Sequence, residues 1–166
     1  MKVWFGQVYI ELGVAFPFSH LFQRRLSSEV TALVEPSGKF LKEFGEDWDF
    51  MFNVSAKRGL QDNEIRGPSL FKKGKKVEYT IFLPFDVITR YPDAPRHFLR
   101  FLLQGVYDVF DELEIDKSKL VERQKAIVEG ICADPTMLEE PSWDEAQNQQ
   151  LGSRLFRTFY GRYQSG

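Results

Sequence analysis

Leu70 to Phe85 reads LFKKGKKVEYTIFLPF, four lysines around one glycine running straight into an apolar ladder. Val77, Tyr79, Ile81 and Leu83 alternate with Glu78, Thr80 and Phe82, the two-residue period of a strand. Just ahead, Lys73-Gly74 lies between Phe71 and Val77 as the turn of a tight hairpin, with glycine supplying the positive φ that such turns require. The lysines then guard a solvated bend and keep a sheet edge from pairing with other chains. The rival reading of the same charges is a basic patch for nucleic acid.

Working outward, the opening MKVWFGQVYIEL alternates on two registers, Val3, Phe5 and Tyr9 against Trp4, Val8 and Ile10. That pattern predicts a strand inside the sheet with both faces covered. From Pro17 the spacing becomes helical, with Phe18, Leu21, Phe22, Leu26, Val30, Leu33 and Val34 on one face and an end before Pro36. FLKEF can form a further helical turn, and DWDFMFNV sets Trp48, Phe50, Phe52 and Val54 on one face against Asp47, Asp49 and Asn53 on a wet one. Ser55 to Pro68, SAKRGLQDNEIRGP, reads as a contact loop.

Asp93-Ala94-Pro95 starts a helix, with Asp at the cap and Pro in the first turn. Phe98, Leu99, Leu102, Leu103, Val106, Val109, Phe110 and Leu113 make its apolar face wide enough to cover a sheet. EIDKSK breaks it, and Leu120, Ile127, Val128 and Ile131 support a shorter helix that stops near Asp134-Pro135. Beyond lies a polar stretch with a capping box, Ser142-x-x-Glu145. It opens a helix striped with Leu151, Leu155, Phe156, Phe159, Tyr160 and Tyr163 beside Arg154, Arg157 and Arg162. The predicted class is therefore α+β: a small, mainly antiparallel sheet of about four strands packed by two long amphipathic helices, with extra C-terminal helices. Residues 1–134 form a single domain, and 135–166 a helical extension packed on that domain or on a partner, a second copy being one such partner.

The totals agree with one core. The chain has 166 residues, of which 43% are hydrophobic, enough for one compact domain. Its 22 basic and 24 acidic side chains nearly cancel, so no overall field draws it to phosphate. The single cysteine, Cys132, cannot form an intramolecular disulfide, and the start, broken by Gln7 and Glu11, lacks a secretory core. A cytoplasmic location is expected. No run reaches the roughly 18 to 20 apolar residues of a membrane span.

No constellation of catalytic type stands out. His20 and His97, the two histidines, have no partner at HExxH or CxxC spacing, and Cys132 has no Cys-His signature. A histidine working with neighbouring acids is the hydrolase alternative, to be recognised by a pocket that brings them together. No phosphate loop, metal or other cofactor is expected. Charge, by contrast, is unevenly spread. Acids gather at Glu43, Glu46, Asp47 and Asp49, at Asp108, Asp111, Glu112, Glu114 and Asp116, and at Glu139, Glu140, Asp144 and Glu145. Such asymmetry can orient a charged protein partner.

The order of elements resembles immunity protein family 44, among the immunity proteins of bacterial polymorphic and contact-dependent toxin systems. The likeness rests on MKVW, the long helix after the first strand, DWDFMF, LFKKGKKVEYTIFLPFD and HFLRFLLQGVYDVFDEL, over residues 1 to 120. It implies a non-catalytic antidote that covers or distorts the active site of a cognate toxin domain, often a nuclease. Asp47, Asp49, Asp108, Asp111 and Glu112 are the partner-binding candidates, mimicking phosphate charge. The alternative function is nucleic-acid binding through the Lys72–Lys76 hairpin and the Arg/Tyr-rich C-terminal helix.

Overall fold

The computed structural model describes residues 2–10, 20–34, 39–45, 48–57, 64–71 and 74–138. Strand β1 (Lys2–Ile10) is followed by helices α1 (His20–Thr31) and α2 (Lys39–Phe44), then by strands β2 (Asp49–Lys57), β3 (Glu64–Phe71) and β4 (Lys76–Pro84). A short α3 (Phe85–Ile88) leads to α4 (Ala94–Glu112), α5 (Ser118–Cys132) and α6 (Pro135–Leu138). The class is α+β, and the expected C-terminal stripe lies outside the described residues.

The sheet is mixed, with strand order β1-β2-β4-β3. β1 pairs with β2 and β2 with β4 in parallel, while the β3–β4 pairing is antiparallel. The expectation of a mainly antiparallel sheet was thus mistaken. It generalised from the hairpin, whereas the segment carrying α1 and α2 is a crossover, the connection that parallel neighbours need. β1 is also displaced from its expected place inside the sheet: among the described residues it has one neighbouring strand, β2. Two apolar registers report covered faces and say nothing about how many edges are paired.

The hairpin turn itself is where the glycine put it. Phe71 pairs with Lys76, and Gly74 between them has φ +127°, a value that side-chain-bearing residues rarely adopt. Of the contact loop expected over Ser55–Pro68, however, Ser55–Lys57 belong to β2 and Glu64–Pro68 to β3. Gly67 and Pro68 fall at a register shift between Arg66 and Ser69, on an edge strand, where a missing ladder donor is tolerated.

Three helices, rather than two, build the covering layer. α4 has 19 residues, α5 has 15 and α1 has 12. Phe22, Leu26 and Val30 bury the i, i+4, i+8 face of α1, which packs over β1. α4 buries Phe98, Leu99, Leu102, Leu103, Val106, Val109 and Phe110. Its Phe98 meets Phe22 at 6.0 Å between ring centroids and its Phe110 meets Phe52 at 6.3 Å, so α4 spans from α1 to the middle of the sheet. Each aromatic buried this way contributes about 1.5–3 kcal/mol. Ion pairs join the helices at the surface, Arg96 of α4 with Glu129 of α5 and Arg123 of α5 with Glu29 of α1.

The sequence placed Asp93 at the cap of α4, and there it sits. Its carboxylate, however, pairs with Arg96 at 2.7 Å and makes no side-chain cap bond. β2 departs further from its pattern, since the face read as wet is buried at Met51, Asn53 and Ser55.

Gly67 offers a direct check of the packing. A Cβ there would lie 2.5 Å from Cδ1 of Tyr79, whose ring fills the core between Phe40 and Phe50. Gly67→Ala must displace either the buried ring or the edge strand. The expected cost is on the order of 1–3 kcal/mol, seen as a lower urea midpoint with an unchanged far-UV circular dichroism spectrum.

Candidate functional site

The face of α4 that turns away from the core carries Gln104, Asp108, Asp111 and Glu112, all exposed. The i, i+3 and i+4 spacings of Asp108, Asp111 and Glu112 set them side by side. Gln104 Nε2 donates to Asp108 Oδ1 at 2.9 Å, and Asp111 forms an ion pair with Lys117. Among the described residues Glu112 has no ion pair. Its charge instead reaches Tyr79, whose phenol is pushed up to about 12 by burial first and by Glu112 second.

The acids sit where helix electrostatics disfavours them. Asp111 and Glu112 occupy the last turn of α4, which has no basic residue. The unpaired carbonyls there carry partial negative charge, and each carboxylate costs about 0.3–1 kcal/mol before its neighbours are counted.

The turn that follows repeats the pattern. The N–H of Ile115 donates to Phe110 O at 2.8 Å and that of Glu114 to Asp111 O at 3.1 Å, the paired bonds of a Schellman cap. Buried Ile115 and Phe110 supply its apolar contact. The cap requires a left-handed residue, ordinarily glycine, yet here it is Glu114, with φ 56°. Asp116 then accepts the Ser118 N–H at 2.9 Å, a bond that holds its carboxyl below the usual range.

Of the five candidate residues, the structure brings Asp108, Asp111 and Glu112 onto one helix face. Asp49 begins β2, where its N–H donates to Lys75 O at 2.8 Å, and it is exposed beside Lys76. The structure shows no contact between Asp49 and the acidic end of α4, whose Glu112 acts on Tyr79, three residues along β4 from the Lys76 partner of Asp49. Asp47 lies outside the described residues, as do Lys72 and Lys73 of the alternative basic patch.

The other candidates are engaged structurally. The His97 ring lies flat on Tyr91, with centroids 3.7 Å apart, and nearby Asp93 is taken by Arg96. Cys132 is half-buried against the core, and burial pushes its thiol up, which keeps it protonated and a poor nucleophile. Among the described residues no three His, Cys, Asp or Glu side chains are grouped to hold a metal ion, and no helix is long and apolar enough to cross a membrane. Two features escaped sequence reasoning. Glu114 gives no local signal, because only the cap geometry reveals its conformation. Glu78 was legible as a member of the polar set of β4, but not as buried.

Glu78 is 5% exposed, and its Oε2 has no hydrogen-bond partner among the described residues. Burial pushes its carboxyl up to about 7, with Lys76, two residues earlier on the same face, pulling the other way.

No family model matches the chain, and neither the curated proteins nor the solved structures offer a match.

Two measurements follow from this geometry. Glu114→Gly relieves the left-handed strain and should raise stability by about 1 kcal/mol in urea unfolding. For Glu78, the folded protein holds its proton up to about pH 7 while the unfolded chain releases it near 4.5, so between these values the native state binds more protons. The favourable state is therefore present below about 4.5 and lost as pH rises through about 7, a change of roughly 3 kcal/mol. Glu78→Gln should remove this fall, so the difference between the two unfolding curves should grow across that window.

Proposed function

We propose that the chain is a non-catalytic antidote, similar in kind to immunity protein family 44, that binds and neutralises a cognate bacterial toxin domain in the cytoplasm. The observation that carries this reading is the acidic end of α4. Asp108, Asp111, Glu112, Glu114 and Asp116 follow one another where a helix C-terminus favours bases and its cap favours glycine. Carboxylates kept at a cost in stability are better accounted for by a partner than by the fold. A nuclease active site, built to receive phosphate, is a partner of matching charge.

In this scheme Asp108 and Glu112 are the leading anchors, with Glu114 following them in the turn after α4 and Asp49 at the start of β2. Asp111 contributes less, since Lys117 already neutralises it. Occupying an active site in this way buries about 1,200–2,000 Å² in total and depends on a few of these anchors.

The test is co-purification with the toxin domain encoded beside it, followed by titration of an Asp108→Lys, Glu112→Lys variant. A loss of tenfold or more in affinity, steeper at low salt, is expected, with the variant's unfolding midpoint close to that of the parent chain. Undiminished affinity would remove the α4 end from the interface. A low-salt gel shift that responds to Lys75→Glu and Lys76→Glu, with no toxin bound, would favour the nucleic-acid reading instead.

A further inference from the structure

The charges of α4 run against its own dipole. Its first turn holds a base, Arg96, and no acid, and its last turn holds Asp111 and Glu112 and no base. A helix by itself favours the opposite placement, with acids at its N-terminus and bases at its C-terminus. The part of the helix left open to water has the same polarity. Arg100, Gln104, Asp108 and Glu112 are exposed along it, and beyond its basic end the 40% exposed ring of Tyr91 stacks on His97. Arg96 is taken up by Asp93 and Glu129, whereas Arg100 has no ion pair among the described residues.

We propose that this strip binds a second copy of itself, with the two α4 helices antiparallel and crossing at Gln104. In a twofold interface residue i meets residue j and j meets i, so the crossing sets Arg100 of each copy against Asp108 of the other. The acidic last turn of each helix then lies beside the first turns of its partner, and the adverse charge at both ends is offset together. A nucleic acid matches the basic half of the strip alone, a basic protein matches the acidic half alone, and a parallel copy sets like charges side by side. The strip from His97 to Glu112 is about 22 Å long, small for a protein interface, so the dimer is reversible and depends on concentration. The dimer stands on the strip itself. Only its consequence, that a toxin domain must displace the second copy to reach Asp108 and Glu112, rests on the antidote reading.

The experiment uses the full chain with no toxin domain present, its mass followed by sedimentation over a wide range of concentration. The parent chain should move from 19.4 kDa towards twice that mass as concentration rises, and less so at high salt. Arg100→Asp should weaken the dimer by about tenfold or more. Arg100→Asp with Asp108→Arg should restore it, because the exchange rebuilds both contacts across the twofold axis. Within one chain the two positions lie about 12 Å apart along the helix, so the rescue comes from a second copy. Far-UV circular dichroism matching the parent shows that each variant is folded, as expected for exposed positions. A parent chain that stays at 19.4 kDa throughout overturns the proposal, as does an Arg100→Asp variant that dimerises like the parent or a folded double variant that does not. No toxin takes part, so failure here leaves the antidote reading standing.

Discussion

The contact between α4 and the β2–β4 pair is the constraint on which the rest of the molecule depends. Phe110 rests on Phe52, Phe98 meets Phe22 of α1, and the buried positions between them close the core from α1 to the centre of the sheet. β2 and β4 are parallel neighbours, so α4, entered through the short α3 at the end of β4, has to run back along the strand it has just left. That return carries the C-terminus of α4 to Tyr79 in the first half of β4, on which Glu112 acts. A core contact thus decides where the surface charge is displayed.

The acidic end of α4 and the buried carboxyl of Glu78 are two different departures from what stability alone would choose. At the helix end the carboxylates are solvated, and their penalty comes from the helix carbonyls and from a left-handed backbone at Glu114. At Glu78 the penalty comes from lost hydration, and the group responds by holding its proton. Solvated charge stays available to a partner. Buried charge ties the fold itself to pH.

Much of this was legible in local pattern. The period of two in Val77, Tyr79, Ile81 and Leu83 marked the core face of β4, Gly74 marked its turn, and the apolar face of α4 could be listed residue by residue. Asp108, Asp111 and Glu112 could be placed side by side from helical spacing alone. Strand order was not legible in the same way. β2 and β3 follow each other in the chain but are separated in the sheet by β4, and the insertion depends on long-range pairing that no single segment encodes. Asn53 was assigned to a wet face for the same reason, because polarity reports a preference for water and burial is decided by what else is packed there.

The amino-acid sequence by itself determined β4, the helices α1, α4 and α5 with their apolar faces, the hairpin turn and the uneven charge, because each depends on residues within a few positions of one another. Tertiary structure alone decided that the sheet is mixed, that Glu114 adopts a left-handed cap and that Glu78 lies out of water. Those outcomes arise from contacts between segments tens of residues apart, where the free energy of packing overrides what each segment prefers on its own.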